Sequence, residues 1–515
     1  MRKEWILLLP AVVLVTGCLL VAGLFQGTMV VYAQGGGWSE PIRLSTNTPS
    51  SWFPDVAVDS EGRVHVVWDS GYPPQGPNDP GTGTTMYSVR RDGEWSEPND
   101  IALHLVTGVS RPALAVDGAD RLHLVLRGGG VRYMQAPVAE AWSAQAWSAS
   151  HRVSGLNLTY TPDLIVDRQG RVHVVWEEWV PVELSPEEVF LLQRSLYLAD
   201  VFYRRSDDGG EFWRPAVNLS RTPNVGSGRV NIALDREGGV HVGWDEGWDR
   251  NAQEGDPRGV AYAYSLDGGE MWSDPMVFSS TVDAYAQMTV GTDVADGVLL
   301  VWRTLASNRL LYAWSTDRGK TFTEPQPIPR LYARPWVSPF DAYDMATDGV
   351  GNVHLVAVGA STVPTAATPL ALYHTAWTGE EWTRPEVIAW YPGPENPEYP
   401  RIAVEGGSRL HVVWFTRPEG VSSTGVQVWY SGRDLGLEVI PEPTWTPTPM
   451  PVPPPPTSTP SPLPPVPTPM PESFVPSPVI SLYTEDDELA ILGAAVLPVL
   501  VLIAVFGGFL LSRRR

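Results

Sequence analysis

The amino-acid sequence predicts an all-β fold, a seven-bladed β-propeller made of four-stranded blades. Three observations support this: a strand–turn–strand pattern that recurs seven times, an aromatic residue that opens a further strand in each repeat, and a lone strand pattern before the first repeat. A Pro-rich stalk and a transmembrane helix are predicted to follow the propeller. The chain has 515 residues, 43% of them hydrophobic, so it is long and apolar enough to bury a large core.

Each repeat is marked by an acidic residue that ends a short apolar run and precedes a tight turn and a second apolar run. A histidine lies six residues after the acid in six repeats, and a tryptophan lies nine residues after it in five. Apolar runs bounded by Gly, Asp and Arg are typical of strands, and a period this long predicts radial or solenoid stacking. The acids of repeats 1 to 7 are Asp59, Asp117, Asp167, Asp235, Asp293, Asp348 and Glu405.

Two more strands complete each repeat. A third run is rich in Tyr and Val, and a fourth is predicted to start at Trp38, Trp95, Trp147, Trp213, Trp272, Phe322 and Trp382. Four strands in each of seven repeats predict a propeller. The pattern begins with a lone fourth strand at Trp38 and ends after a third strand at Tyr430. The first strand is therefore predicted to complete the last blade and to leave no exposed sheet edge.

The repeated histidines and tryptophans invite two interpretations. Each histidine would lie on a different blade, so we interpret them as buried hydrogen-bonding groups; the alternative is a set of metal ligands. We interpret the tryptophans as packing between blades. The sequence predicts no metal site and no cofactor.

The charge and the cysteine content exclude several classes of protein. The formal net charge is −22, which argues against a nucleic-acid partner. Cys18 is the one cysteine in the sequence, so the chain beyond it can form neither a disulfide framework nor a cysteine zinc site.

The amino terminus has the features of a secretory signal peptide, predicted at residues 1–33. Arg2 and Lys3 precede an apolar run, and Val31-Tyr32-Ala33 supplies the small residues of a cleavage site. Two alternatives are an uncleaved membrane anchor and a lipoprotein signal in which Cys18, at the end of Val15-Thr16-Gly17-Cys18, carries the lipid.

The carboxyl terminus predicts an anchor in the cell membrane. Residues 441–478 contain 18 prolines, which favours an extended stalk, predicted at residues 435–488. Leu489–Leu511 is a run of 23 residues without a charge, long enough to cross a bilayer once. Three arginines in the tail, residues 512–515, should stay cytoplasmic, which would place the propeller at 36–434 outside the cell.

Three connections between third and fourth strands share the pattern Ser-x-Asp-x-Gly followed by an aromatic residue. They resemble the Asp-box, or BNR repeat, of the sialidase-like β-propeller superfamily, and the resemblance covers residues 36–434. It implies that the Ser and Asp side chains hold a structural turn. The residues concerned are Ser206, Asp208 and Gly210, Ser265, Asp267 and Gly269, and Ser315, Asp317 and Gly319.

The resemblance also implies a possible enzyme. Sialidases of the superfamily need three arginines, a Tyr–Glu pair and an Asp, and usually carry a Phe/Tyr-Arg-Ile-Pro motif. This sequence has no such motif, and the nearest segment is Tyr399-Pro400-Arg401-Ile402. We therefore expect a non-catalytic binding or adhesion protein, with a sialidase-like glycosidase or a related lyase as the alternative.

Loops after the second strands are the predicted ligand-binding region. The residue that follows this strand is charged in the first five repeats, and two tryptophans lie close behind. Together they are expected to surround the mouth of the channel and to bind a polar ligand, an extracellular glycan or a surface protein; the alternative is ordinary solvated charges. The candidates are Asp69, Arg127, Glu177, Trp179, Asp245, Trp248 and Arg303.

Overall fold

The computed structural model describes residues 37–438, with gaps at 47–49, 73–81, 105–109, 186, 189–196, 223, 250–253, 336–337, 339–341, 366–367, 392–394 and 419–424. The chain divides into two compact units, Met1–Met450 and Pro451–Arg515, and the described residues belong to the first. The predicted signal peptide, the transmembrane segment, the cytoplasmic tail and all but the first residues of the stalk lie outside them. Within the described part, no helix is long and apolar enough to span a bilayer.

Antiparallel strands account for nearly all the regular structure. The strands are β1 Ile42–Arg43, β2 Ser51–Val58, β3 Val64–Tyr72, β4 Thr82–Arg91, β5 Glu94–Trp95, β6 Asn99–His104, β7 Ala113–Val116, β8 Arg121–Arg127, β9 Val131–Pro137, β10 His151–Arg152, β11 Thr159–Val166, β12 Val172–Pro181, β13 Tyr197–Ser206, β14 Val217–Asn218, β15 Gly226–Leu234, β16 Val240–Asp249, β17 Glu254–Ser265, β18 Met276–Phe278, β19 Tyr285–Thr292, β20 Val298–Thr304, β21 Arg309–Ser315, β22 Gln326–Ala333, β23 Asp344–Thr347, β24 Val353–Ala360, β25 Ala371–Trp377, β26 Glu386–Trp390, β27 Glu395–Glu405, β28 Arg409–Pro418 and β29 Gln427–Asp434. One 3-10 turn, Ala144–Ala146, lies between β9 and β10.

The sheets form a propeller, and its blades differ in number from the prediction. Five sheets are separate blades: β2–β6, β7–β10, β11–β14, β15–β18, and β27–β29 with β1. Strands β19–β26 instead form one eight-stranded sheet. The expectation of seven separate blades is therefore wrong. The physical reason is that β22 extends to Ala333 and pairs with β24 at Tyr332–Ala360 and Ala333–Gly359, which joins repeats 5 and 6.

The predicted closure of the last blade is confirmed. β1 pairs with β29 through Ile42–Tyr430 and Arg43–Trp429. The Ser39 amide also donates to the Gly432 carbonyl at 2.8 Å. The last blade therefore has four strands, β1-β29-β28-β27, and β29 lies inside the sheet.

The seven aromatic residues predicted to open the fourth strands lie just outside them. Each fourth strand begins four residues after its aromatic residue, as in β14 after Trp213. Six of these rings pack edge-to-face on a third-strand tyrosine of the preceding repeat, and Trp38 packs in the same way on His374. Among the six, Phe322 lies 5.1 Å from Tyr262 and also 5.6 Å from Phe278. The other five tyrosine contacts are Trp147–Tyr87, Trp213–Tyr133, Trp272–Tyr203, Trp382–Tyr312 and, between the first and last repeats, Trp95–Tyr430.

The repeated histidines lie in buried hydrogen-bonded groups that we call acid–His–Tyr relays. In repeat 3, His173 Nε2 lies 3.3 Å from Asp167 and Nδ1 lies 2.8 Å from the Tyr203 hydroxyl. The relays of repeats 1, 2, 4 and 7 have the same arrangement, with Nδ1–hydroxyl distances of 2.6–2.8 Å. In repeat 6, His374 replaces the tyrosine. The interpretation of the histidines as buried hydrogen-bonding groups is confirmed.

The three Ser-x-Asp-x-Gly connections share one turn geometry. In repeat 3, Asp208 lies 2.7 Å from the Ser206 hydroxyl and accepts the Phe212 amide at 2.9 Å, while the Gly210 amide donates to Ser206 at 2.8 Å. The turns at Asp267 and Asp317 repeat these bonds. This geometry supports the structural role that the resemblance implies.

Candidate ligand-binding site

The first strand of most repeats carries a kink at one repeated position, on the side of the blades where the mouth of the channel is predicted. Six residues there have a positive φ, and in five repeats the strand register also shifts at this point. Neighbouring members touch: Tyr399 packs edge-to-face on Phe53 at 5.0 Å, and the Arg111 guanidinium lies 4.5 Å from the Phe53 ring. We call Phe53, Arg111, Thr161, Arg229, Gln287 and Tyr399 the mouth ring.

Three predicted ligand-binding carboxylates accept hydrogen bonds from residues that belong to this ring or lie next to one of its members in the sequence. Asp69 accepts the Ser110 hydroxyl at 2.9 Å, Glu177 accepts the Arg229 amide at 2.6 Å, and Asp245 accepts the Met288 amide at 3.2 Å. Each bond joins one repeat to the next. The three residues are buried, with at most 9% of their surface exposed. Their expected position in exposed loops is wrong, because the second strands continue past them to Tyr72, Pro181 and Asp249.

Arg303 is also buried and bound within the protein. Its guanidinium donates to Asn308 Oδ1 at 2.6 Å and to the Arg334 carbonyl at 2.9 Å. Trp248 lies in β16, where its backbone pairs with Gly255; its side chain is outside the described part. Direct ligand contact by either residue stays a prediction.

The structure brings together Arg127 and Trp179, which the sequence predicted from different repeats. The Arg127 guanidinium lies 4.4 Å from the centre of the Tyr160 ring, and the Trp179 ring lies 6.1 Å from that ring. All three side chains are partly exposed. Burial lowers the pKa of Arg127 from its usual value, but the group remains a cation at neutral pH. We call Arg127, Tyr160 and Trp179 the aromatic platform; an aromatic face beside a cation can bind a sugar ring that carries an acid.

A buried ionic group on the inner strands was missed by the sequence analysis. Arg401 Nε lies 2.9 Å from Asp55, its NH2 lies 3.0 Å from Asp163, and Asp344 is 3.8 Å away. These four residues, the axial cluster, come from repeats 7, 1, 3 and 6. Burial raises the pKa of Asp344 to about 6, although the charge of Arg401 opposes this. The available signal was position, since each member lies four residues before the acid of its repeat.

The other arginines near the mouth are engaged by protein acceptors. Glu398, which is 1% exposed, binds Arg334 at 2.9 Å and Arg417 at 3.0 Å, and it accepts the Ser338 hydroxyl at 2.9 Å. Arg229 donates to the Ser338 carbonyl at 3.1 Å. Arg334 and Arg417 therefore share one carboxylate, and a buried ion pair of this kind is costly to break.

The described residues contain no group of three or more His, Cys, Asp or Glu side chains placed to hold a metal ion. Each repeated histidine of the relays is within hydrogen-bond distance of a carboxylate and, except in repeat 6, of a tyrosine hydroxyl.

Comparison with known proteins gives structural neighbours only. No family model matches the sequence, and no curated protein matches it. The chain is similar to a Dyadobacter fermentans protein of unknown function, with 15% identity, a TM-score of 0.48 and coverage of 78% of this chain and 100% of that one. It is similar to an intramolecular trans-sialidase from Ruminococcus gnavus, with 12% identity, a TM-score of 0.42 and coverage of 78% and 98%. An ulvan lyase, a polysaccharide lyase, aligns with 11% identity, a TM-score of 0.49 and coverage of 78% and 95%.

Proposed function

We propose that the protein is a membrane-anchored, extracellular, non-catalytic propeller that binds glycans through the aromatic platform. The observation that carries the proposal is that the Arg127 guanidinium and the Trp179 ring both lie close to the Tyr160 ring. Two aromatic faces provide stacking surface for sugar rings, and the guanidinium provides a partner for an acidic group. The favoured ligand is therefore an acidic glycan.

The state of the arginines supports binding over catalysis. Arg334 and Arg417 share Glu398, and Arg401 is bound by Asp55 and Asp163. A sialidase-like mechanism needs several guanidinium groups that can receive the substrate carboxylate; these three arginines already pair with protein carboxylates, whereas Arg127 of the platform is proposed to receive an acidic group. Glycosidase or lyase activity remains the alternative function.

Display outside the cell is supported by the sequence of the chain ends. The uncharged run Leu489–Leu511 is followed by three arginines, and a proline-rich segment separates it from the propeller.

Binding of labelled acidic glycans to intact cells that express the full chain tests the proposal. Trp179→Ala should weaken binding about fivefold or more, since one stacking contact contributes roughly 1 kcal/mol. Arg127→Gln should weaken binding of acidic glycans and spare neutral ones. Phe212→Ala is the matched control, because Phe212 is an aromatic residue that is 81% exposed in a turn far along the blade from the platform.

Two results would contradict the proposal. Unchanged affinity in both platform variants, with melting temperatures equal to that of the wild type, would show that this surface is not the site. Cleavage of a fluorogenic sialoside or of a uronate-containing polysaccharide by the purified full chain would show that the protein is an enzyme.

A further inference from the structure

A second concave surface lies between repeats 1 and 2, where third strands connect to fourth strands. It is a groove of 740 Å³, within the range of about 300–1,000 Å³ typical of small-ligand pockets. One wall is the hairpin formed by the end of β4 and by β5, with Arg91, Glu94 and Trp95. The other wall is the connection between β9 and β10, with Glu140, Trp142 and Gln145. We call this surface the rim groove.

The second wall of the rim groove departs from the turn found in repeats 3 to 5. Those repeats cross from third to fourth strand through the compact Ser-x-Asp-x-Gly turn, whereas repeat 2 uses the segment after Pro137 with its 3-10 turn. Ala141 and Trp147 of this segment are buried, and the Trp147 ring nitrogen donates to the Ala141 carbonyl at 2.8 Å. The buried pair anchors the segment, so the intervening Trp142 is presented at the surface.

Trp142 is held in a fixed position although 47% of its surface is exposed. Its ring nitrogen donates to the Glu97 carbonyl at 3.2 Å, and its own carbonyl accepts the Asn99 side-chain amide at 2.7 Å. An exposed aromatic ring gains little free energy from packing against the protein. A ring held in this way offers a flat apolar face with little conformational entropy left to lose on binding.

The polar groups of the rim groove define the chemistry of its ligand. Arg91, Glu94 and Glu140 are exposed, and within the described residues none of the three makes an ion pair. Two carboxylates against one guanidinium leave an excess of negative charge, which disfavours an acidic ligand. Carboxylate, amide and guanidinium groups around a tryptophan face are suited to the hydroxyl groups and the apolar face of a sugar.

We infer that the rim groove is a second binding site, which takes a neutral oligosaccharide stacked on Trp142. Glu140 and Gln145 bind its hydroxyl groups. This site is separate from the aromatic platform, which carries a cation and is proposed to take acidic glycans. The inference does not depend on the platform, because no residue is shared between the two surfaces.

Titration of the full chain in detergent with neutral hexasaccharides of glucose, mannose and xylose tests the inference. Binding is measured by calorimetry and by the change in tryptophan fluorescence. We expect at least one hexasaccharide to bind, with affinity at least tenfold lower in Trp142→Ala and several-fold lower in Glu140→Gln. Phe212→Ala, an exposed aromatic variant in the corresponding connection of repeat 3, should bind like the wild type.

The platform variant separates this inference from the proposed function. Trp179→Ala should bind the neutral hexasaccharides normally even if it loses acidic glycans, and Trp142→Ala should show the reverse. Melting curves check that each variant is folded. Absence of binding to all three hexasaccharides, or equal affinity of Trp142→Ala and the wild type, would overturn the inference.

Discussion

Buried carboxyl groups at the two ends of the blades have pKa values that are shifted in opposite directions. At the end with the acid–His–Tyr relays, burial alone would raise the pKa of Asp59, yet hydrogen bonds from His65 and Arg63 lower it to about 2. At the mouth end, burial raises the pKa of Asp69 to about 7, and the hydrogen bonds from Ser110 do not offset it. Hydrogen bonds from cationic side chains can therefore outweigh the effect of burial and keep a carboxyl group ionised, whereas the neutral Ser110 does not do so at Asp69.

This difference predicts opposite contributions to stability as pH changes. Asp59 and Asp167 have folded pKa values of about 2, below the ordinary 3.8, so they stabilise the fold above about pH 4 and lose this effect as pH falls towards 2. Asp69 and Asp344 have folded pKa values of about 7 and about 6, so their contribution is largest when they are protonated and is lost as pH rises through those values.

The largest effect is expected from removing the cation of the axial cluster. Arg401→Met leaves Asp55, Asp163 and Asp344 without their shared partner, and breaking a buried ion pair on one side costs about 3–5 kcal/mol. The loss in melting temperature should shrink at pH 5, where Asp344 can be protonated. Arg384→Met, at an exposed position, is the control and should change little. A loss that does not depend on pH would contradict the ionic role of the cluster.

A smaller effect is expected from the turn of repeat 3, where two adjacent glycines differ in their surroundings. Both have a positive φ, but a Cβ on Gly210 would lie 2.3 Å from the Tyr133 ring, whereas one on Gly209 would meet nothing within 4 Å. Gly210→Ala should therefore cost about 3 kcal/mol and Gly209→Ala about 1 kcal/mol, the cost of the backbone alone. Unfolding by urea measures both. Equal losses would show that the Tyr133 contact does not constrain the turn.

The smallest effect on the free energy of unfolding is expected at Asp69, and it tests the difference between the two ends of the blades directly. Asp69→Asn keeps an acceptor for Ser110 and removes the titrating group. Between pH 5 and pH 8 the wild type should lose about 2 kcal/mol through this carboxyl, and the variant should lose less. The difference in stability between the two proteins should therefore shift in favour of the variant as pH rises from 5 to 8. A parallel pH dependence in the two proteins would show that Asp69 is ionised throughout.

Sequence reasoning predicted the strands well because local patterns determine them. The apolar runs and the turn before His65 gave the first hairpin, and the lone strand at Trp38 gave the ring closure. The joined sheet of repeats 5 and 6 was missed because it depends on how far β22 extends, which two residue pairs decide.

The candidate site was harder to predict for a different reason. Glu177 looked like a loop residue because it follows an apolar run, yet its partner is a backbone amide of the next repeat, which no side-chain pattern reveals. The axial cluster places Asp55 and Arg401 at equivalent repeat positions. Opposite charges at one repeated position look unrelated in the sequence and become complementary only when the strands surround one axis.

Under the membrane anchorage proposed above, the position of β29 has a mechanical consequence. A pull on the chain after Asp434 loads a strand that is paired on both sides, over eight residue pairs with β28 and two with β1. An edge strand could be peeled away one hydrogen bond at a time. A strand paired on both sides must break its hydrogen bonds to both neighbours, so the last blade would resist such a pull better than a blade that ended in an edge strand.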